Sequence, residues 1–439
     1  MNFKTLLSSA CLAGVAAFAP LQSDAAPPAT HTDESKVPQY ELPNPLVCKD
    51  GTPVKTADQW FKVRRPEILN DFIQEVYGTS PPTPQSVKWE VISQKDDALG
   101  GKAIRKEIAV TLVEKPEPVV MTIMLHLPKS VKKAPLFWSL NFAGNQAETT
   151  EPDVQINPNW IRNGRDGVAN NRSNEQSRGT QARRWPLELL IDRGYAAATA
   201  YYGDIDPDFD DNFKNGIHAG LEDPNQKTRA PNAGGSIAAW AWGLSRGLDV
   251  LLQEPRIRGD QVAVIGHSRL GKTSLWAGAT DPRFALVISN NSGCGGAALS
   301  RRQYGETVAR INHTFPHWFC DNFNKYNDKE SELPVDQHEL IALIAPRPVY
   351  VASATLDQWA DPKGEFLSAA HADPVYRLLG TDGFGGKAAP ENMPEADHPL
   401  KTGTIGYHLR TGKHDLIQYD WEQYLDFADK HFGKKAAQK

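Results

Sequence analysis

From Val119 onward the chain alternates short apolar runs with longer stretches whose apolar residues recur at helical spacing. "VVMTIMLHLP" and "APLFWSLNFAGN" are apolar at consecutive positions, which predicts strands buried on both faces. "ARRWPLELLIDRG" then predicts a helix and "YAAATAYYGD" a strand. The pairs "GSIAAWAWGLSRGLDVLLQEP" with "QVAVIGH", and "SRLGKTSLWAGATDP" with "FALVISNNSG", repeat helix followed by strand. Two further strands, "RPVYVASATLD" and "TIGYHLRTG", and a closing helix, "YDWEQYLDFADKHF", end the series. Alternating units of this kind imply a mostly parallel central sheet with helices on both faces, a three-layer α/β sandwich. Upstream, "VKWEVISQ" and "AIRKEIAVTLVE" alternate apolar and polar positions and predict two more strands.

Two regions break this rhythm. In "ADQWFKVRRPEILNDFIQEVY", residues 57–77, Trp60, Ile68, Leu69, Phe72 and Ile73 form a helical core face, and Pro66 is expected to split the run into two helices. Residues 145–180 are polar and Asn-rich, and a loop of that length is expected to rim a functional cleft. Residues 27–56, rich in proline and polar side chains, read as an extended arm. The expected organisation is a leader over 1–26, an arm with helices over 27–84, and a main α/β domain over 85–439 that carries the 145–180 insertion.

Composition narrows the setting. Of 439 residues, 40 % are hydrophobic and 23 % charged, and the net charge of −5 comes with scattered lysines and arginines. That suits a soluble globular protein, expected as a monomer, and argues against a nucleic-acid partner. Lys4, the apolar stretch Leu6–Phe18 and the small residues up to Ala26 read as a cleavable secretory leader, too short to span a bilayer. A secreted or periplasmic location follows; lipid attachment at Cys11 is the poorer match. After cleavage Cys48, Cys294 and Cys320 remain in an oxidising compartment, where a Cys294–Cys320 bridge with Cys48 free is the expected pairing. No Cys/His spacing suggests zinc, and no metal or cofactor is expected.

The candidate chemistry begins at "GHSRLGK". Ser268 lies between a predicted strand and a predicted helix, where a hydrolase places its nucleophile. The usual elbow is Gly-x-Ser-x-Gly; here Gly266 fits and Gly271 comes one place late. An ordinary serine helix cap would look similar. Later strands decide between the two: Asp357 follows one and His414 another, in the order nucleophile, acid, base used by α/β-hydrolases. His408, within "IGYHLR", is the rival base, placed by its alternation on a strand face. Arg269 is placed to supply a backbone N–H, and its own side-chain donors, to an oxyanion hole. Lys272, one helical turn after Ser268, shares its face. Trp359 stands at the mouth of the same site as a sugar-stacking platform, with Gln303 and Glu306 as hydrogen-bonding partners for hydroxyls.

Together, "GHSRLGK", "NNSGCGGAALSRRQYGE", "ELIALIAPRPVYV", "LDQWADP" and "GKHD" resemble the glucuronoyl esterases of carbohydrate esterase family 15, in particular the bacterial branch. The resemblance covers roughly residues 85–432. It implies an α/β-hydrolase fold and cleavage of the ester between (4-O-methyl-)glucuronic acid of glucuronoxylan and lignin alcohols. It implies Ser268 as nucleophile, His414 as base, Arg269 at the oxyanion hole, and Lys272, Gln303, Glu306 and Trp359 as the uronate subsite. Many members carry the triad glutamate just after the strand that follows the elbow; this chain has Asn290 and Asn291 there, which leaves Asp357 as the acid. Fungal members have a bridged cysteine before the nucleophile, where this chain has His267. The alternatives are another α/β-hydrolase, such as an acetyl esterase or a prolyl-oligopeptidase-type peptidase, and an inactive carbohydrate-binding relative.

Overall fold

The computed structural model describes residues 26–114, 117–222 and 228–433. The predicted leader, with Cys11, lies outside the described residues except for Ala26. Among the described residues eleven strands run in chain order: β1 Lys88–Ala98, β2 Ala103–Val113, β3 Val119–Pro128, β4 Ala134–Asn141, β5 Val168–Ala169, β6 Arg172–Ser173, β7 Ala196–Tyr201, β8 Ile257–His267, β9 Leu286–Asn290, β10 Val349–Ala354 and β11 Ile405–Arg410. Nine of them form one sheet in the order β1-β2-β3-β7-β4-β8-β9-β10-β11. β1, β2, β3 and β7 pair antiparallel, and every pairing from β7 to β11 is parallel.

Why the central strands read as unbroken apolar runs is clear from their two faces. Leu136 and Trp138 of β4, Val262 and Val264 of β8, Val287 of β9 and Val351 of β10 enter one core cluster. Their neighbours Phe137, Ala263, Ile265, Leu286, Ile288 and Tyr350 enter a second. A strand's side chains alternate in direction, so a strand covered on both sides needs an apolar residue at every position. Helices Ser236–Leu251, Arg269–Thr280, Gln337–Ala342 and Pro362–Leu378 cover the first face. Leu187–Asp192 and the closing helix Gln418–His431 cover the second. Gln337–Ala342 and Pro362–Leu378 are additional to the predicted elements.

Two expectations are corrected. Pro66 does not divide the first helical run. Residues 57–75 are helical throughout, with a π-helical turn over Trp60–Arg64 directly before Pro66, which sits in the first turn of Arg65–Glu75. Proline inside a helical run removes one backbone hydrogen bond and crowds the preceding turn, and the wider π-helical turn over Trp60–Arg64 is where the run accommodates it. Trp60, Ile68 and Phe72 are fully buried in the main core, and Arg64 pairs with Glu339 at 2.8 Å, so this N-terminal run is built into the α/β domain. The Cys294–Cys320 bridge is absent: Cys48, Cys294 and Cys320 are all free and buried. The Phe319 ring, not the Cys320 thiol, meets the Cys294 loop, filling the space beside Gly295. Cys320 Sγ faces the Gln74 carbonyl oxygen at 3.8 Å instead.

Candidate active site

β8 ends at His267, and Ser268 follows with φ 58° and ψ −129° before the helix Arg269–Thr280 begins. A positive φ on a non-glycine residue is strained, and such strain concentrates at functional turns. The Ser268 N–H donates to the Asn290 carbonyl oxygen at 2.9 Å, which ties the elbow to the end of β9. Both glycines are required by close approach. A Cβ on Gly266 would lie 1.8 Å from the Leu270 carbonyl oxygen. One on Gly271 would lie 2.9 Å from Ser292 Cβ. The late glycine therefore lets the first helical turn rest on the loop after β9.

Asp357 and His414 come together as their places after β10 and β11 predict. His414 Nδ1 donates to Asp357 Oδ2 at 2.6 Å. Asp357 is buried, whereas His414 is largely open to the cleft. The His414 ring lies 4.6 Å from that of His267, the residue before Ser268. The rival bases are excluded by their partners. His408 is fully buried in β11, held by Asp420 at 2.9 Å and Tyr350 at 3.1 Å. His267 is fixed through Nδ1 to Asn290 Oδ1 at 2.6 Å, and burial, then the neighbouring His414, push it well below the ordinary imidazole range.

The two asparagines have separate tasks. Asn290 orients His267 and donates to Tyr424 Oη at 2.7 Å. Asn291 donates through Nδ2 to Asp357 Oδ2 at 2.8 Å, the same oxygen that His414 uses. The sequence shows Asn290 and Asn291 in place of an acid but not this support, since nothing local to "ISNNSG" signals it.

Arg269 sits in the helix's first turn, where a cation is disfavoured by the dipole. Its Nη1 donates to Asp208, a residue with no exposed surface. Arg269 also lies over Trp318 at 4.7 Å and Phe315 at 5.4 Å. Burial alone would raise Asp208, but Arg269 and then His317 outweigh it and hold the carboxyl well below its usual range. Asp208, His317 and Trp318 were not legible in sequence.

The remaining predicted residues divide. Lys272 is buried, donates to the Ser292 carbonyl oxygen and lies 3.9 Å from Glu306. Burial lowers the Lys272 ammonium and raises the Glu306 carboxyl. Glu306 also accepts from the Trp359 side chain, and its N–H donates to the Trp359 carbonyl oxygen at 3.0 Å. Trp359 is 42 % exposed, with the Arg310 guanidinium 5.6 Å from its ring centre. Lys272, Glu306 and Trp359 thus form one cluster. Gln303, with φ 51°, donates to Glu330 at 2.7 Å. The 145–180 segment reaches the elbow's surroundings: Arg162 donates to the Asp208 carbonyl oxygen at 2.8 Å, and Arg165 lies over Phe142.

Glu365 supports the loop after β9 from behind. It accepts from the N–H groups of Ser292 and Gly293 at 2.7 and 3.0 Å and from Ser353 Oγ at 2.6 Å. Among the described residues there is no cluster of side chains able to hold a metal ion, and no helix is long and apolar enough to cross a membrane.

Comparison with known proteins shows which family the chain is similar to. The family model for fungal glucuronyl esterases matches residues 229–380. A carbohydrate esterase, MZ0003, from an unknown prokaryotic organism is 50 % identical over 402 residues, 91 % of each chain. A solved structure described as a promiscuous CE15 esterase from a marine bacterial metagenome is 50 % identical, covers 92 % of this chain and all of its own, and superposes with a TM-score of 0.85. The glucuronoyl esterase from Solibacter usitatus, 46 % identical over 91 % of this chain and all of its own, superposes equally well, at 0.85.

Proposed function

The chain belongs to carbohydrate esterase family 15, and we propose that it is a secreted serine esterase that frees glucuronic acid side chains of xylan from lignin alcohols. It is a carboxylic ester hydrolase of the glucuronoyl esterase type. One observation carries the finer reading: buried Lys272 and Glu306 form one cluster with the exposed Trp359, Lys272 lies one helical turn after the elbow serine, and His414 is paired with Asp357. A small acyl group needs no such cluster. A uronate ring offers hydroxyls that accept from an ammonium and donate to a carboxylate, and a C–H face that packs on an indole.

Ser268 Oγ attacks the ester carbonyl carbon while His414 Nε2 takes its proton. Asp357 holds Nδ1–H, fixing the tautomer and stabilising the imidazolium. The carbonyl oxygen becomes an oxyanion facing the Arg269 N–H and guanidinium. The C–O bond to the alcohol then breaks, and His414 returns the proton to the departing oxygen. Water, deprotonated by the same imidazole, attacks the acyl-serine; the bond to Ser268 Oγ breaks, His414 returns the proton to that oxygen, and glucuronate leaves.

The test compares benzyl glucuronate with an aryl acetate on the native protein and on Ser268→Ala. Expected are fast turnover of the glucuronate ester and its loss in the variant. Turnover of the acetate with an untouched glucuronate ester removes the uronate reading. Activity that survives Ser268→Ala removes the nucleophile. Export through the 1–26 leader predicts a mature chain that begins near Pro27, read by intact mass; lipid on Cys11 would overturn it.

A further inference from the structure

We infer that Asp208 is a positioning residue for the reaction: it fixes the Arg269 guanidinium where the oxyanion forms. The inference rests on the proposed oxyanion role of Arg269. Asp208 lies beyond the end of β7, in none of the segments that hold the triad. Its carboxylate is completely buried. Tyr202 Oη donates to Oδ2 at 2.8 Å; Trp318 Nε1 and His317 Nε2 bond Oδ1 at 2.8 and 3.0 Å. Arg269 Nη1 donates to Oδ2, with Arg162 Nη2 3.6 Å from the same oxygen. A carboxylate held by so many donors from separate segments has one orientation, and so does whatever it holds.

The guanidinium is confined from other sides too. Trp318 lies under it, and the Phe315 ring stacks on Trp318 at 3.7 Å. Arg269 Nε is buried with no acceptor among the described residues. The side chain retains 20 % exposure, so only its outer edge can meet an incoming oxygen. An arginine free to choose rotamers at a helix N-terminus would swing into solvent; this one is aimed before substrate arrives, and donors fixed in advance need no reorganisation when charge develops.

The inference has a definite sign. By Coulomb attraction alone, a negative charge beside Arg269 weakens its hold on an oxyanion, so removing that charge should speed the reaction. Positioning predicts the opposite. Asp208→Asn is expected to lower kcat for benzyl glucuronate roughly 10–100-fold, the cost of a small misplacement, with KM within about 2-fold. Arg269→Ala should lower kcat about 10²–10³-fold. The double variant should match Arg269→Ala within about 2-fold, because Asp208 acts only through Arg269. In that background Asp208 is a buried carboxylate without its cation, so the double variant should also melt above Arg269→Ala.

A kcat in Asp208→Asn at or above the wild-type value overturns the inference while leaving the esterase reading intact. So does a loss that adds fully to that of Arg269→Ala, the mark of a merely structural role. Wild-type turnover in Arg269→Ala overturns the oxyanion reading of Arg269, and the inference with it. Should Asp208→Asn not fold, Trp318→Phe keeps the carboxylate and removes one of its donors. It is expected to lower kcat about 3–10-fold at unchanged KM; an unchanged kcat there counts against the inference.

Discussion

Asp357→Asn tests the acid of the triad, and the structure gives the size of the effect. The variant keeps the shape of the side chain and removes its charge. His414 Nδ1 and Asn291 Nδ2 both donate to Oδ2, at 2.6 and 2.8 Å. An asparagine at 357 therefore satisfies both donors by turning its carbonyl oxygen towards them. The proton on His414 Nδ1 is kept, and the loss is that of the charge alone. Two unit charges about 4 Å apart at an effective dielectric of about 20 interact by roughly 4 kcal/mol. At about 1.4 kcal/mol per decade, kcat should fall about 10³-fold. Replacing the triad aspartate of a serine protease costs about 10⁴, because there the imidazole takes the wrong tautomer. Asn291→Leu in the Asp357→Asn background removes the donor that orients the amide and should deepen the loss towards that value. The assay is kcat and kcat/KM for benzyl glucuronate across pH. An Asp357→Asn variant within about 10-fold of wild type would refute the reasoning and take Asp357 out of the triad.

Three further outcomes are expected. Lys272→Met should lower kcat/KM for the glucuronate ester about 10–100-fold, the cost of a charged hydrogen bond, and leave an aryl acetate unaffected; equal losses on both substrates would remove Lys272 from sugar recognition. Burial pushes Glu365 up from 4.5 to about 8, against the opposing pull of its donors. Between those values the folded protein holds a proton that the unfolded chain has released, so this contribution is full below pH 4.5 and is lost as pH rises through about 8. The melting temperature of Glu365→Gln should therefore fall less than that of wild type from pH 5 to 8, and parallel curves would show that Glu365 does not titrate there. Burial pushes the Cys320 thiol up to about 11 and Cys294 upward as well, so the native protein should resist a thiol reagent while the denatured, unreduced chain titrates Cys48, Cys294 and Cys320. A chain that titrates only one thiol would restore the disulfide.

What could be read in the sequence follows how local each cause is. The parallel strands announce themselves because both faces are buried, so Phe137 and Trp138 are both apolar although they point into different cores. The positions of Ser268, Asp357 and His414 were legible because each follows a strand, and parallel strands end along one edge of the sheet. Pro66 was misjudged since a π-helical turn absorbs it, a change of helical register that no residue pattern marks. The disulfide expectation rested on compartment and number, while pairing depends on which side chains meet, and Phe319 stands where the second thiol was expected. Asp208, Glu365 and the support from Asn291 were invisible for one reason. Each acts on a residue at least 61 positions away, as with Asp208 and Arg269, and has no periodicity of its own.

The loop after β9 sets the orientation of the Asp357 carboxylate. Asn291 has φ 48°, a conformation that asparagine tolerates better than longer side chains. Its N–H donates to the Ala352 carbonyl oxygen at 2.7 Å, binding the loop after β9 to the strand that leads to Asp357. Its side chain then reaches the Asp357 carboxylate. An acid at 291 in addition to Asp357 would place two negative charges at one site, a repulsion that an amide avoids. With an amide there, the site has a single carboxylate, oriented by a neutral donor and paired with His414. Asn291 is thus the residue that aims the Asp357 carboxylate.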